Sequence, residues 1–153
     1  MVTIFAIVRV RSLIDRNPKI KLTARFLRLT RTNSCSIYPE SPYLKGMLEV
    51  ISTIATFGEI RKETLVELLK KRGRIAGNKP LTLEIINKYG YTSFEQIADE
   101  VFKTGKLPSF IKPIFRLSPP RKGFKNSLKK SFAEGGELGY RGDYINELIL
   151  KML

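Results

Sequence analysis

The first 60 residues alternate between short apolar runs and amphipathic segments, and this order constrains the fold more than any other feature. Residues 2–8 read VTIFAIV, a β-branched and aromatic run that is typical of a buried strand. Residues 35–38 and 54–60 are two further strand candidates. An Asn-Pro pair at 17–18 and a Ser-Pro pair at 41–42 each precede apolar residues at helical spacing. The sequence therefore predicts the order β-α-β-α-β.

Positive charge is concentrated at the two ends of the chain. The sequence has 28 Lys and Arg against 14 Asp and Glu, a formal net charge of +14 at pH 7. Residues 1–34 contain eight basic residues and one acidic residue, and residues 106–153 contain ten basic and four acidic residues. Two like charges ~7 Å apart in water repel by roughly 0.6 kcal/mol, and a phosphate backbone removes that cost. The pattern favours a polyanionic partner over a basic surface kept for solubility, because acidic residues serve solubility better.

The order of elements predicts a small α/β (α+β) sandwich with helices on one face of the sheet. It resembles a ferredoxin-like unit that lacks one strand. The other face of the sheet needs a cover, which either the rest of the chain or RNA provides. We expect a ferredoxin-like core domain over 1–60 and a C-terminal extension, helical and basic, over 61–153 packed on that core.

Within the extension, patterning predicts helices over 61–105, an edge strand within 111–117, and an irregular basic stretch over 118–142. Asp143 is expected to cap a last helix.

Several classes of site are excluded by residues that the sequence lacks. It has no His, which removes the usual general base, the commonest metal ligand, serine-histidine triads and zinc fingers. The single Cys35 cannot form an internal disulfide and is interpreted as a small core residue in a reducing compartment. No apolar run is long enough to span a bilayer. We expect a cytoplasmic protein with no catalytic site, no cofactor, no metal, no membrane partner and no small-molecule substrate.

The segment 119–130, PPRKGFKNSLKK, is the strongest candidate for contact with nucleic acid. Gly123 permits a close approach of the main chain to a partner. Phe124 either stacks on a base or anchors the loop in the core. The basic residues predicted to contact phosphates are Arg121, Lys122, Lys125, Lys129 and Lys130.

Two other segments are weaker candidates for contact with nucleic acid. Residues 28–35, RLTRTNSC, place Arg28 and Arg31 near a predicted helix end, where the helix dipole also favours positive charge, and Asn33 suits a left-handed turn. Residues 135–142, GGELGYRG, match neither GxGxxG nor the Walker pattern. We interpret this glycine-rich run as a loop pressed against RNA or as a set of tight turns.

Short runs spread over nearly the whole chain follow one another in the order and spacing of a known family. The longest are 112–124 (KPIFRLSPPRKGF) and 135–142 (GGELGYRG), and others include 7–11 (IVRVR), 45–48 (KGML) and 71–74 (KRGR). Together they resemble the large-subunit ribosomal protein thirty family in its long archaeal and eukaryotic form. The resemblance implies a non-catalytic structural protein of the large ribosomal subunit that binds rRNA.

The resemblance also implies the partners: rRNA of the 23S type, 5S rRNA as a second candidate, and neighbouring ribosomal proteins. We expect the two basic ends of the chain to lie close together in the folded protein and to bind the RNA jointly. The residues predicted to contact RNA are Arg9, Arg11, Arg28, Arg31, Asn33, Lys45, Arg116, Arg121, Lys122, Gly123, Phe124, Lys125, Lys129, Lys130 and Arg141.

Two alternatives belong to other classes of function. A small ferredoxin-like acyl-phosphate hydrolase would need a glycine-rich loop between the first strand and the first helix, and residues 11–18 contain no Gly. A free-standing RNA chaperone would use the same basic chemistry as a ribosomal protein, and only its association with ribosomal particles would distinguish the two.

Overall fold

The computed structural model describes residues 2–14, 16–124 and 126–153. The strands are β1 (Ile4–Arg9), β2 (Ser34–Pro39), β3 (Ala55–Glu59), β4 (Arg74–Ile75), β5 (Lys79–Pro80), β6 (Phe115–Arg116), β7 (Ser127–Ser131) and β8 (Gly136–Tyr140). The helices are α1 (Pro18–Phe26), α2 (Pro42–Ile51), α3 (Lys62–Arg72), α4 (Leu83–Lys88), α5 (Phe94–Thr104) and α6 (Ile145–Met152). Within these described ranges, no helix is both long and apolar enough to cross a membrane.

A six-stranded sheet in the order β6-β2-β1-β3-β8-β7 forms the centre of the molecule. Strand β1 is antiparallel to both neighbours, with Ile7 opposite Ser36 on β2 and Phe57 on β3. Strand β8 runs parallel to β3, and β6 pairs antiparallel with β2 at the other edge. The predicted α/β class, the β-α-β-α-β order and the edge position of the strand after Pro113 are confirmed.

Both faces of β1 are buried, because protein covers both sides of the sheet. Phe5 and Ile7 belong to a cluster with apolar residues of α1 and α2. Ile4, Ala6 and Val8 alternate with them and belong to a second cluster, formed with α3, α5 and α6. The rest of the chain, not RNA, therefore covers the second face of the sheet.

Side-chain caps begin three helices where the sequence predicts them. The Asn17 side chain accepts from the Lys19 amide at 2.9 Å at the start of α1. Ser41 and Ser93 do the same for α2 and α5, accepting from the amides of Leu44 and Gln96 at 3.1 and 3.3 Å. These bonds satisfy amides that a helix leaves without partners in its first turn.

Cys35 lies in the second cluster and is fully buried. Burial raises the pKa of its thiol to about 12, because a thiolate would be desolvated there. The thiol therefore stays protonated at neutral pH, as expected of a core residue.

The stretch 118–142 is more ordered than the sequence predicts, since it contains β7 and β8. Strand β8 is buried over four of its five residues and adds to the free edge of β3. A Cβ on Gly136 would lie 2.1 Å from the Lys130 carbonyl oxygen, so only Gly permits β7 and β8 to approach this closely. Gly136, which suggests a loop in the sequence, is here a requirement of strand packing.

The start of α6 also differs from the prediction. A 3₁₀ turn, Gly142–Tyr144, leads directly into the helix, and no side chain caps it. Asp143 instead binds the Arg61 guanidinium, with Nε of Arg61 2.8 Å from Oδ1. Its backbone carbonyl accepts from the Asn146 side-chain amide at 2.9 Å. Asp143 thus connects the 3₁₀ turn to the residue before α3.

Gly58 is expected to be intolerant of any side chain. A Cβ at this position of β3 would lie 2.0 Å from the Gly142 carbonyl oxygen, so Gly58→Ala must push the 3₁₀ turn away from the sheet. We expect a loss of about 2–3 kcal/mol in the free energy of unfolding, measured by urea denaturation.

Gly46→Ala is the matched control. Gly46 lies within α2, and a Cβ at this position would have no other atom within 4 Å, so this change should stabilise by roughly 0.5–1 kcal/mol. Equal effects of the two substitutions would contradict the close approach at Gly58.

Candidate nucleic-acid interface

The edge strand β6 brings a C-terminal arginine next to the N-terminal basic segment. Arg116 lies directly opposite Ser34 at the start of β2, and the Leu117 amide donates to the Asn33 carbonyl at 3.0 Å. Residues opposite each other on paired strands project to the same face of a sheet. Arg116 is exposed there, beside the turn that precedes β2.

That turn, residues 28–33, presents two exposed arginines. The chain leaves α1 with Arg28 at φ +62°, and the Leu29 amide donates to the Ala24 carbonyl at 2.8 Å. This is the helix ending that usually requires Gly at the left-handed position. A side chain there costs about 1 kcal/mol or more. Arg28 occupies this position and is exposed, and Arg31, three residues later, is exposed as well.

Asn33 is the second left-handed residue of the turn, at φ +67°, as its residue type predicts. Its amide donates to the Arg9 carbonyl at 2.8 Å, which joins the turn to the end of β1. Arg11 lies two residues beyond β1 and is partly exposed.

A cavity of about 140 Å³ next to β6 is lined by four cations that the sequence does not place together. The Lys112 amide donates to the Arg74 carbonyl at 2.8 Å, which joins the loop before β6 to the start of β4. An Arg72 guanidinium nitrogen donates to Ser118 Oγ at 2.8 Å. The lining residues are Arg72, Arg74, Asn78, Lys112, Ile114 and Arg116, with no acid among them.

We call the cations Arg28, Arg31, Arg72, Arg74, Lys112 and Arg116 the β6 cation surface. The described part of the chain contains six ion pairs, and none of them includes a residue of this surface. The lysines of α3 behave differently, since Lys62, Lys70 and Lys71 each lie within 4 Å of a carboxylate. The β6 cation surface therefore groups six cations that have no carboxylate of the described residues within 4 Å, an arrangement that suits the neutralisation of phosphates.

Sequence reasoning missed Arg72, Arg74 and Lys112 as members of one site. Residues 71–74 and 112–124 are both visible as basic runs, but they are far apart in the chain. In the fold, hydrogen bonds from Lys112 to Arg74 and from Arg72 to Ser118 join the two runs.

The basic loop that follows β6 is anchored at both ends. The Arg121 amide donates to the Lys151 carbonyl at 3.1 Å, so the loop passes the C-terminal end of α6. Lys122 and Gly123 both have positive φ, +63° and +72°, and form a tight, exposed turn. Phe124 is partly buried against the core, which is the anchoring role considered for it. Lys125 lies outside the described residues.

Lys129 and Lys130 lie on β7, at the opposite edge of the sheet from β6. Five interstrand spacings separate the two edges, or about 24 Å at ~4.8 Å each. The expected convergence of the basic ends therefore holds for Arg116 and fails for these two lysines. The physical reason is that β8 and β7 extend the sheet from β3, whereas β6 extends it from β2.

Arg9 and Arg141, which we predicted as RNA contacts, are buried at 5% and 7% exposure. Arg9 donates to the carbonyls of Arg11 and Leu29 at 2.9 and 3.1 Å, and burial lowers the pKa of its guanidinium. Both side chains are bound by protein atoms, so neither is free to contact RNA.

Arg141 makes three hydrogen bonds within the fold. Its guanidinium donates to Thr56 Oγ1 at 2.7 Å and to the carbonyl and carboxylate of Glu137 at 2.6 and 2.7 Å. It also lies 5.2 Å from the centre of the Phe132 ring.

Lys45, another predicted contact, is exposed on α2 and forms an ion pair with Glu40 at 3.0 Å.

Phe26, the last residue of α1, is an exposed aromatic residue. Its side chain is 67% exposed, and Leu22 one turn earlier is 49% exposed. Arg25 and Arg28 flank Phe26 in the chain and are exposed as well. An exposed ring among cations is a platform on which a base can stack.

The described residues contain no group of three or more His, Cys, Asp or Glu side chains that could hold a metal ion.

Comparison with known proteins gives one consistent family. The family model described as Ribosomal protein L30p/L7e matches residues 5–53, from β1 to the end of α2. The large ribosomal subunit protein uL30 of Staphylothermus marinus is 48% identical over the whole of both chains. That of Nanoarchaeum equitans is 47% identical over 98% of this chain and 99% of its own.

A third relative, the large ribosomal subunit protein uL30 of Caldivirga maquilingensis, is 44% identical over 98% of this chain and 91% of its own. These alignments cover α3 to α6 as well as the segment that the family model matches. The resemblance seen in the short sequence runs is confirmed, and the chain belongs to the uL30 family of ribosomal proteins.

Proposed function

We propose that this chain is a structural constituent of the large ribosomal subunit, in the cytoplasm, and that it binds and stabilises folded rRNA of the 23S type. Its family supports the role, since the relatives are named as proteins of that subunit. The observation that carries the RNA contact is the β6 cation surface, where four cations line one cavity without a carboxylate.

Electrostatics gives this surface its affinity. Cations held close together repel one another, and RNA phosphates placed among them remove the repulsion and release counterions. The six side chains come from the turn after α1, the end of α3, β4, β6 and the loop before β6, so their spacing is set by the fold and not by one flexible segment. Such a surface recognises the shape of folded RNA more than its sequence.

Other predicted residues add contacts around this surface. Arg121 and Lys122 continue it along the loop, where Gly123 allows the main chain to approach a phosphate. Phe26 offers its exposed ring to an unpaired base. Asn33 lies in the turn at 28–33 and Arg11 lies beside it, and Phe124 supports the loop from within. We keep Lys125 among the proposed RNA contacts because it lies in the basic segment 119–130.

Lys129 and Lys130 would contact a separate segment of RNA, because they lie at the β7 edge. Lys45 would also act apart from the β6 cation surface, since it lies on α2. We include 5S rRNA and neighbouring ribosomal proteins among the partners. A structural role is favoured over catalysis and over the acyl-phosphate hydrolase alternative, because the relatives are named as ribosomal proteins.

The test is the salt dependence of binding to a transcript of large-subunit rRNA. If about six phosphates are neutralised, a plot of log K against log salt concentration should have a slope of roughly −4 to −5. Filter binding between 50 and 400 mM salt, a range of about one decade, measures it. A slope near zero would refute binding through phosphates.

Cosedimentation distinguishes a ribosomal protein from a free-standing RNA chaperone. The protein should sediment with large subunits at moderate salt, and crosslinks mapped in those particles should fall on one folded region of rRNA, with 5S rRNA as the second place to look. Recovery of all the protein in the soluble fraction would favour the chaperone.

A further inference from the structure

A groove with aromatic walls lies on the face of the sheet that carries α1 and α2. It has a volume of about 330 Å³ and runs between α2 and the strands β3 and β8. Phe5, Leu48, Phe57 and Tyr140 form its walls. Phe57 and Tyr140 face each other across β3 and β8, with ring centres 5.9 Å apart. The groove exists because β8 widens the sheet beyond the area that α2 covers.

The charge of this groove is opposite to that of the whole molecule. Three glutamates and one lysine, Glu40, Glu49, Glu59 and Lys45, stand around it, in a chain where basic residues outnumber acids two to one. Carboxylates repel a phosphate backbone, so RNA is a poor occupant. The complementary occupant is a cation attached to an apolar or planar group.

The glutamates are positioned to receive such a cation. Glu59 Oε1 accepts from the Tyr140 hydroxyl at 2.6 Å, and this bond raises the pKa of Tyr140. The bond places a carboxylate at the edge of a ring that is 54% exposed. Glu40 is partly neutralised by Lys45, whereas Glu49 forms no ion pair with any residue in the described ranges.

We propose that this groove binds an arginine side chain of a neighbouring protein, presented on an extended segment. A guanidinium is planar and weakly hydrated, so it can lie on the rings of Phe57 and Tyr140 while it donates to Glu49 or Glu59. A lysine ammonium would gain the charge interaction but less of the stacking. That the neighbour is a subunit protein rests on the proposed function, but the affinity for arginine does not.

The experiment uses the full chain and a capped, fluorescent glycine peptide that contains two arginines. Fluorescence anisotropy at low salt should detect binding, although both partners are cationic. The double substitution E49Q/E59Q should weaken binding by about tenfold, and Tyr140→Leu should weaken it by a few-fold through loss of the ring. Replacing both arginines of the peptide with lysine should also weaken it.

E63Q/E67Q is the matched control, because it removes the same charge from α3, away from the groove. It should leave peptide affinity unchanged, and thermal unfolding should show that all variants are folded. E49Q/E59Q should bind rRNA as well as the parent does, so a failure of this proposal is distinguishable from a failure of RNA binding. Absence of peptide binding, equal effects of the two double substitutions, or displacement of the peptide by a short RNA would overturn it.

Discussion

Replacing Arg74, Lys112 and Arg116 together with glutamine will weaken binding to large-subunit rRNA by roughly two orders of magnitude in 0.1 M salt. These three side chains line one cavity on the β6 cation surface. Each phosphate contact contributes about 0.7–0.9 to the slope of log K against log salt, so losing three should reduce the slope by roughly 2–3. The change removes charge and bidentate hydrogen bonding, and glutamine keeps a polar side chain at each position; it also removes the Arg74 hydrogen bond to the Gly73 carbonyl.

The control for this variant is K62Q/K70Q/K71Q, which removes the same net charge from α3. These lysines lie near Asp99, Glu95 and Glu67, so their charge is already balanced within the protein. Their replacement should lower affinity by less than about threefold, since only distant, screened charges change. If both triple variants lose the same affinity and slope, net charge alone drives binding and the β6 cation surface has no special role.

The sequence predicted the elements whose residues repeat with one clear period. β1 is a continuous apolar run, and α2 and α5 combine a side-chain cap with an apolar stripe. In these segments local preference and tertiary packing agree, so the pattern is sufficient. The cores on the two faces of β1 follow from the alternation of Phe5 and Ile7 with Ala6 and Val8.

Predictions from the sequence were wrong or incomplete where tertiary contacts override the local preference of a segment. Strand β8 contains glycines at 136 and 139, which argue against a strand until β3 and β7 are seen beside it. The four cations of the cavity could not be grouped, because no local rule predicts that the end of α3 meets the loop before β6.

Charge counting also could not separate surface cations from buried ones. Arg9 and Arg141 belong to the same basic segments as Arg28 and Arg121, yet they bind carbonyls and a carboxylate within the fold. Net charge indicates the kind of partner that a protein binds, but it does not identify the side chains that contact the partner.

Arg141→Met is expected to lower the free energy of unfolding by about 3–5 kcal/mol, because it leaves the carboxylate of Glu137 buried without its counterion. Glu137 is 6% exposed, and after the change its remaining partner is the Asn126 amide, 3.1 Å from Oε1. Thr56 Oγ1 also loses the Arg141 Nε donor. Methionine has a similar length and fills the space beside Phe132, so lost volume contributes little. Urea denaturation measures the change.

Two comparisons show whether the buried charge is the cause. Adding Glu137→Gln to Arg141→Met removes the stranded carboxylate but keeps an acceptor for Asn126, so it should recover much of the loss. Lys71→Met breaks an exposed pair with Glu67 and should cost less than about 0.5 kcal/mol. Below its unfolding transition, Arg141→Met should keep the parent's salt slope for rRNA binding, since its guanidinium contacts protein. A slope reduced by about 0.7–0.9 with stability unchanged would instead make Arg141 a phosphate contact.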